Sequence, residues 1–490
     1  MKRFTLAQAL VVVSVAVFCF AAAGQSYLSV KLPEGFKGTT DMWVPGDVNG
    51  DGIDEIIIGN VTLNGVAAVC IIPVWDQASY TTLLLPEFDA KWNTMSVDAA
   101  DLDGDGFAEI IVGLPEAEVP LPAGEFPPSG YDPEIVHEHD EAGNVIIKEI
   151  TWKPQIRKDG KVVIFHGGDL KRWKEIPNPA YTFIEWKTSS FWVDDHFVRF
   201  DPVTVGHFHP LGFGTAVTAL DDINGDGIKE FAVSDANYQI GDNWNVGRVY
   251  VFLSPDFDTW IAMESPHNAD GEWFGRELFE AFDLDGTGRP ELMATTSCTK
   301  AGDDHLWLFW NVSPEGYTEC EDLYRKVGGG LFGIGSHPRY EDITEQFRKA
   351  YGSMTDFNGD GITDNIPESG WDLDTTVSGV KGAGSVEIVL GPDYNPTVVR
   401  ISNPEPEPFS HMGWSWFDRY VLPGHFNGDG FWDYATPAAG PVWWDEDVSW
   451  DDESRVYSVW DAATQCYVPA GTVTPRIFIF FGGPDFGKGM

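Results

Sequence analysis

The sequence has little positive charge for its length. It contains 31 lysine and arginine residues against 76 aspartate and glutamate residues, which gives a formal net charge of −45 at pH 7. A surface this acidic repels polyanions, so nucleic acid and anionic membranes are excluded as partners. No long heptad or helical-period segment is present, while aromatic residues make up 14% and glycine occurs 53 times. This composition favours an all-β protein.

Motifs of the common enzyme classes are also missing. The chain has no Gly-x-Ser-x-Gly, no His-Glu-x-x-His, no P-loop and no dinucleotide-binding fingerprint. We therefore predict no catalytic residue from sequence. A catalytic centre assembled from distant segments leaves no such motif, so an enzyme on a β scaffold stays open as an alternative.

Long apolar runs are confined to the N-terminus. Met1-Lys2-Arg3 is a basic start, residues 5–20 are almost wholly apolar, and small residues follow at 21–23. This pattern predicts a secretory signal peptide over residues 1–23 and a mature chain without a transmembrane segment. The expected location is extracellular, periplasmic or cell-surface associated.

Cysteine is scarce, with four residues after the predicted cleavage. Cys298 with Cys320 is the local disulfide option, Cys70 with Cys466 would join the two ends of the chain, and buried thiols are the third possibility. The sequence does not choose among them.

What the chain does have is a repeated acidic loop. Residues 47–55 place oxygen-bearing side chains at positions 1, 3, 5 and 9 around a glycine turn, and the carbonyl of position 7 adds a fifth oxygen. Hard oxygen ligands at alternate positions are typical of calcium sites. Similar loops recur at intervals of roughly 55 to 120 residues, which indicates an internal repeat. The predicted ligands, loop by loop, are Asp47, Asn49, Asp51, Ile53 and Glu55; Asp101, Asp103, Asp105, Phe107 and Glu109; Asp222, Asn224, Asp226, Ile228 and Glu230; Asp283, Asp285, Thr287, Arg289 and Glu291; Asp356, Asn358, Asp360, Ile362 and Asp364; and Asn427, Asp429 and Asp433.

Two loops depart from this pattern. Thr287 replaces a carboxylate in the fourth loop, and His425 replaces the first aspartate of the sixth. We therefore expect about four to six calcium ions, with the weakest sites in these two loops. An EF-hand is excluded because position 12 never carries the required glutamate and a β-branched, glycine-ended run follows position 9.

Each loop is flanked by strand-like segments. An aromatic-glycine pair such as Phe213-Gly214 precedes it, and an apolar run follows it; the six runs are Val66 to Ile72, 161–165, Arg248 to Leu253, Leu306 to Trp310, Val386 to Leu390 and Arg476 to Phe481. Small antiparallel sheets of this kind bury both faces by packing radially, which predicts a β-propeller of six countable blades. The strand from Ser26 to Leu32 should complete the blade that ends at 476–481, because an open ring leaves bare sheet edges.

These features resemble FG-GAP repeats, the blades of the integrin alpha-subunit propeller and of many secreted bacterial proteins. The resemblance covers residues 27–490 and implies calcium in the complete loops on one face of a propeller. Propellers of this family usually have seven blades, so the resemblance makes seven possible here. Residues 115–160 are rich in proline and acid, and we interpret them as an insertion within the second blade. A metal site at His137, His139 and Asp140, or at His207 and His209, is a weaker alternative.

The function indicated is extracellular binding or cell adhesion, with a glycan or a protein as partner. The alternative is a polysaccharide lyase or glycoside hydrolase on the same propeller. Tryptophans toward the C-terminus, including Trp443-Trp444, fit either packing between blades or a sugar-binding groove. The oligomeric state is not predicted.

Overall fold

A computed structural model gives an all-β molecule, and among the residues that it describes the only helix is the short 3-10 turn η1 at Gln77–Ser79. The structure describes residues 19–20, 26–38, 42–88, 94–115, 117, 119–120, 134–140, 145–151, 156–157, 159–179, 183–186, 189–193, 196–200, 203–206, 212–241, 243–280, 287–296, 305–322, 356–360, 364, 376–390, 397–413, 422–438, 448–451, 456–461 and 465–486.

The strands of the N-terminal half are, in chain order, β1 (Cys19–Phe20), β2 (Ser26–Lys31), β3 (Phe36–Lys37), β4 (Trp43–Gly46), β5 (Glu55–Leu63), β6 (Val66–Ile72), β7 (Thr81–Leu84), β8 (Ser96–Ala100), β9 (Glu109–Leu114), β10 (Val119–Pro120), β11 (Glu134–His139), β12 (Val145–Thr151), β13 (Ile156–Arg157), β14 (Lys161–Phe165), β15 (Arg172–Pro177), β16 (Phe183–Trp186), β17 (Ser189–Val193), β18 (His196–Phe200) and β19 (Val203–Gly206).

The strands of the C-terminal half are β20 (Phe213–Leu220), β21 (Glu230–Asp235), β22 (Arg248–Leu253), β23 (Thr259–Glu264), β24 (Leu278–Glu280), β25 (Leu292–Thr296), β26 (His305–Trp310), β27 (Glu319–Asp322), β28 (Ser385–Leu390), β29 (Thr397–Ser402), β30 (Leu422–Gly424), β31 (Asp433–Ala438), β32 (Val448–Asp451), β33 (Val456–Asp461), β34 (Cys466–Thr472) and β35 (Arg476–Phe480).

These strands form a β-propeller, as the sequence predicts. Blade 1 contains β3 to β7, and its first strand is interrupted, since β3 and β4 both pair with β5. Blade 2 contains β8, β9, β14 and β15, blade 3 contains β20 to β23, and blade 4 contains β24 to β27. In the C-terminal blade the order of hydrogen-bonded strands is β1-β2-β35-β31-β30. The first strands of neighbouring blades contact each other, β30 with β4, β4 with β8, β8 with β20 and β20 with β24, which places them innermost.

The described residues therefore contain five blades, one fewer than the six predicted. The repeat of the fifth acidic loop is described only as the hairpin β28–β29, and the remainder of that repeat lies outside the described residues. The predicted pairing of the chain ends is confirmed, because β2 runs antiparallel to β35 with Val30 opposite Ile477.

The core lies between blades because alternate residues of one strand face opposite neighbours. Ile56 and Ile58 of β5 pack with the C-terminal blade, whereas Ile57 between them packs with blade 2. The same alternation separates Ile477 from Phe478 in β35. The second and third strands of the described blades are buried on both faces, which explains why the strands after the acidic loops have continuous apolar runs instead of alternating ones.

Glycine allows the blades to approach closely where blade 2 meets blade 3. A Cβ on Gly113 would lie 2.3 Å from the carbonyl oxygen of Gly214, and Gly214 has φ +94°. Ser96 Oγ donates to that same carbonyl at 2.9 Å. The Phe213-Gly214 pair recognised in the sequence is thus an inter-blade contact.

The segment predicted as an insertion contains two short ladders. Strand β11 pairs with β12, and β10 pairs with β13 before β14 joins blade 2. The assignment of residues 115–160 as an insertion, and of 1–23 as a signal peptide, stays a prediction. In the part of the chain described here, no helix has the length and hydrophobicity of a membrane span.

The disulfide between Cys70 and Cys466 is not formed. Cys70 is a thiol buried in β6, where burial raises its pKa to about 12, and Cys466 is exposed at the start of β34. Cys298, the partner proposed for Cys320, lies outside the described residues.

Candidate metal centres

The acidic loops lie at equivalent places in the blades. Each connects the first strand of a blade to the second, as in β4–β5, β8–β9, β20–β21 and β30–β31. The first strands are all innermost, and the sheets are antiparallel, so these turns lie on one face of the propeller. In the fourth loop Asp283 and Asp285 lie outside the described residues, and in the fifth loop Ile362 does.

The carboxylate at position 1 organises the turn. In the first loop Asp47 Oδ1 accepts from the backbone N–H of Gly50 at 2.7 Å, and Asp47 Oδ2 accepts from that of Gly52 at 2.8 Å. Gly50 and Gly52 have φ values of +74° and +82°, which glycine adopts readily. In the second and third loops, Asp101 and Asp222 accept the equivalent bonds from the glycine N–H groups at positions 4 and 6. The loop conformation is therefore encoded locally.

The carboxylate at position 9 is buried and bonded to position 2. Glu55 accepts from the N–H of Val48 at 3.0 Å. The equivalent N–H groups donate to the position-9 carboxylate in four other loops, Leu102 to Glu109, Ile223 to Glu230, Phe357 to Asp364 and Phe426 to Asp433. Burial raises the pKa of Glu55 to about 7 and that of Asp433 to about 6. A nearby cation would offset the cost of burying these charges.

Two of the described loops gather their acidic oxygens closely. Ligand atoms lie within 4.8 Å of one another in the group Asp101, Asp103 and Asp105 of the second loop, and in the group Asp222, Asp226 and Glu230 of the third. In the first loop the Asn49 side-chain amide nitrogen donates to Glu55 Oε1 at 2.6 Å. The acidic residues of the first, fifth and sixth loops are not gathered this closely where the structure describes them.

The turn that follows the third strand of a blade adds residues that the loop motif did not predict. In blade 3, Ser254 Oγ donates to Glu230 Oε1 at 2.6 Å and lies 2.9 Å from Asp226 Oδ2. In blade 2, His166 Nε2 lies 3.0 Å from Asp103 Oδ2, and in blade 4 the Asn311 side chain contacts Thr287. These residues directly follow or lie next to the apolar strands recognised in the sequence, which is the signal that could have identified them.

Neighbouring loops also contact each other. The position-7 side chain of one loop lies over the position-4 glycine of the preceding loop, so a Cβ on Gly50 would be 2.6 Å from the Phe107 ring and one on Gly359 would be 2.2 Å from Phe431. The backbone N–H of Ala108 donates to the carbonyl of Asp47 at 2.8 Å. The loops thus form a connected series on their face of the propeller.

The opposite face carries two histidine–carboxylate contacts, one in blade 4 and one in the connection from β23 to β24. His305 Nδ1 lies 3.0 Å from Asp322 Oδ2, and His267 Nδ1 lies 3.8 Å from Glu272 Oε1. The two imidazoles meet edge to face with ring centroids 4.4 Å apart. Glu272 is 1% exposed and its Oε1 has no hydrogen-bond partner, whereas 45% of the His267 side chain is accessible. The contact with Asp322 favours a proton on Nδ1 of His305, which leaves the lone pair of the neutral ring on its Nε2.

A buried polar cluster lies nearby at the same end of blade 3. Asp235 is fully buried, accepts from Asn178 Nδ2 at 2.7 Å, and its Oδ1 has no hydrogen-bond partner. Burial raises the pKa of Asp235 to about 7. The Arg248 guanidinium lies 3.9 Å from the centroid of the Tyr238 ring.

Comparisons with known proteins agree with the propeller. No family model matches the chain. Integrin alpha-PS2 of Drosophila melanogaster is 23% identical over 257 residues, which is 51% of this chain; the chain covers 14% of that protein's length.

Similar solved structures include a rhamnogalacturonan lyase of Bacillus licheniformis, with 14% identity, TM-score 0.32 and coverage of 91% of this chain and 68% of that one. The exotype rhamnogalacturonan lyase YesX has 13% identity, TM-score 0.32 and coverage of 93% and 76%. Rhamnogalacturonan lyase YesW has 13% identity, TM-score 0.31 and coverage of 95% and 74%.

Proposed function

We propose that this protein is an FG-GAP-type, calcium-binding propeller that works outside the cell as a binding or adhesion module. The calcium-dependent loops would set the blade geometry, and the rest of the surface would carry the partner. The net charge of −45 is consistent with an extracellular protein that binds no polyanion.

The observation that carries the proposal is the third loop. Asp222, Asp226 and Glu230 place carboxylate oxygens within 4.8 Å of one another, and Glu230 is fully buried. The Ser254 hydroxyl adds another oxygen to this group. An all-oxygen donor set containing three carboxylates suits calcium, which takes six to eight oxygen ligands.

The test is calorimetric titration of chelator-treated protein with calcium. We expect several calcium ions per chain, and Asp226→Ala should remove one of them. Glu319→Gln is the matched control, since Glu319 is an exposed acidic residue of β27 outside the loops. Absence of calcium binding in the wild type would overturn the proposal.

The partner we propose is an extracellular glycan or protein. Exposed aromatic rings suit sugar faces, and Trp244 and Trp260 are 43% and 39% exposed on blade 3. A glycan array, followed by a pull-down from extracellular matrix, would test this. Binding that depends on calcium and weakens in Trp244→Ala would support the glycan, whereas binding only to matrix proteins would favour the protein partner.

A polysaccharide lyase or glycoside hydrolase is the second candidate. What favours it in this chain is the pair of histidine–carboxylate contacts opposite the metal loops. The His267 ring is accessible and lies 3.8 Å from the buried Glu272 carboxylate, and a neutral imidazole there could accept a proton from a sugar carbon or from water. The dyad at His305 would hold the second imidazole in one tautomer.

Incubation with acidic and neutral polysaccharides tests this candidate. A lyase produces an unsaturated sugar that absorbs in the ultraviolet, and a hydrolase produces only new reducing ends. His267→Ala should lower either rate at least a hundredfold if the ring is the general base. Polysaccharides that bind but stay intact would leave the binding module as the function.

A further inference from the structure

The second acidic loop differs from the other described loops because an imidazole from the turn after the third strand reaches into it. His166 directly follows β14, and its Nε2 lies 3.0 Å from Asp103 Oδ2. Its Nδ1 lies 2.9 Å from the carbonyl oxygen of Gly167 and 3.9 Å from Glu109 Oε1. Asp103, Glu109 and His166 bring one ligand atom each within 4.8 Å of the other two.

The contacts of the His166 ring determine which of its two nitrogens has a lone pair available. The Gly167 carbonyl only accepts, so Nδ1 carries the proton in that contact. In the neutral ring Nε2 then directs its lone pair at a carboxylate oxygen 3.0 Å away, and two acceptors at this distance repel each other. A positive charge must lie between or on them, either a proton on Nε2 or a metal ion bound by both.

The donor set favours a transition ion over calcium. An imidazole nitrogen with two carboxylates is a set that zinc and its neighbours accept and that calcium, which prefers oxygen, does not. Asp103, Glu109 and His166 supply these three donors within 4.8 Å of one another.

The corresponding turns of the other described blades lack an imidazole. The residue after the third strand is a serine, Ser254, in blade 3, and in blade 4 Asn311 follows β26. Both offer oxygen. The imidazole therefore distinguishes the second loop from neighbours that share its acidic motif.

We propose that the second loop binds a divalent transition ion of the zinc class through Asp103, Glu109 and His166, in preference to calcium. This inference rests on the proposed function only in treating the acidic loops as metal sites. Glu109 is fully buried and accepts from the N–H groups of Leu102 and Gly167, so its orientation is fixed before metal arrives. His166 is one-third exposed, which leaves an entry path from solvent.

The experiment is a zinc titration by calorimetry of metal-free protein held in saturating calcium, repeated with cobalt and read by its visible absorption. We expect about one zinc ion per chain that calcium does not displace. His166→Ala should weaken zinc binding at least tenfold, and His166→Asn, which offers oxygen instead of nitrogen, should lose the zinc preference while retaining calcium. Lys171→Gln, which alters an exposed residue of the same turn, should change neither zinc binding nor calcium binding.

Two results would overturn the inference. Zinc binding that is unchanged in His166→Ala would mean that surface histidines bind the ion. Calcium binding by the wild-type loops without any zinc binding would mean that only a proton bridges His166 and Asp103, and the proposed function would stand. If no loop binds calcium but zinc binds through His166, the proposed function fails and this inference survives.

Discussion

Asp54 and His425 join the first and last acidic loops by two hydrogen bonds. The N–H of His425 donates to Asp54 Oδ2 at 2.7 Å, and the N–H of Asp54 donates to the carbonyl of His425 at 2.8 Å. Burial raises the pKa of the Asp54 carboxyl. The histidine that departs from the calcium pattern therefore lies at the junction between the C-terminal blade and blade 1.

Asp54→Ala should weaken this junction. The change leaves the N–H of His425 without its acceptor, which typically costs about 1–3 kcal/mol in a partly buried site. Urea unfolding measures the change in unfolding free energy for Asp54→Ala, with the exposed change Glu319→Gln as the control. Equal unfolding free energies for Asp54→Ala and wild type would show that strand pairing alone joins the two blades.

The pairing of β2 with β35 should be equally sensitive to its buried face. Val30 is fully buried among residues of the C-terminal blade and blade 1, whereas its neighbour Lys31 is exposed. Val30→Asp places a charge in that core and should destabilise the fold by more than about 3 kcal/mol. Lys31→Asp on the same strand is the control, with a change of about 0.5 kcal/mol or less. Thermal unfolding followed by circular dichroism distinguishes them, and similar melting temperatures would contradict the assignment of this strand.

Calcium should stabilise the protein unequally from loop to loop. A ligand at 100 times its Kd adds about 2.7 kcal/mol per site, so a chelator should lower the melting temperature by several degrees. Asp51 and Asp429 both occupy position 5, in the first and the sixth loop. Asp51→Ala should lose more of the calcium stabilisation than Asp429→Ala, because His425 already replaces a carboxylate in the sixth loop. Equal losses would refute this ranking, and a melting temperature insensitive to chelator would mean that the loops are only turns.

Asp235 should make stability depend on pH. Burial raises its pKa from 3.8 to about 7 in the folded state. The folded protein then holds this proton more tightly than the unfolded chain, so its contribution is full below about pH 4 and is lost as the pH rises to about 7. The stability lost over this range is about 4 kcal/mol, because the pKa rises from 3.8 to about 7 and each pKa unit corresponds to about 1.36 kcal/mol.

Asp235→Asn keeps the shape and removes the titration. Its unfolding free energy relative to wild type should therefore increase between pH 4.5 and pH 8. Urea unfolding at both pH values measures the change. A difference between the two proteins that stays constant with pH would mean that Asp235 is ionised in the folded state.

The sequence predicted the features of this fold that are encoded locally. The spacing of Asp47, Asn49, Asp51 and Glu55 specifies a turn that its own backbone N–H groups complete, and the apolar run at 161–165 forms strand β14 within the predicted bounds. Five of the six predicted blades are described, and the remainder of the fifth-loop repeat lies outside the described residues.

Contacts between distant segments were beyond sequence reasoning. His166 lies 63 residues after Asp103, and no periodic pattern indicates which turn will meet which loop. The contact of His267 with Glu272 is local in sequence, yet its meaning depends on His305 and Asp322, which β26 and β27 bring to it. Side chains that a sheet edge brings together are specified by register, which the hydrophobic pattern only partly determines.

The packing of position-7 side chains on position-4 glycines limits how the repeats can be exchanged. Phe107 requires Gly50 beneath it and Phe431 requires Gly359, whereas the shorter Ile53 lies 3.6 Å from the Cβ position of Gly428. Adjacent repeats are therefore fitted to each other as ordered pairs, despite their common motif. A chimera that shuffles whole blades should fold only where each transplanted loop keeps its original neighbour, so the repeats of this propeller are not interchangeable modules.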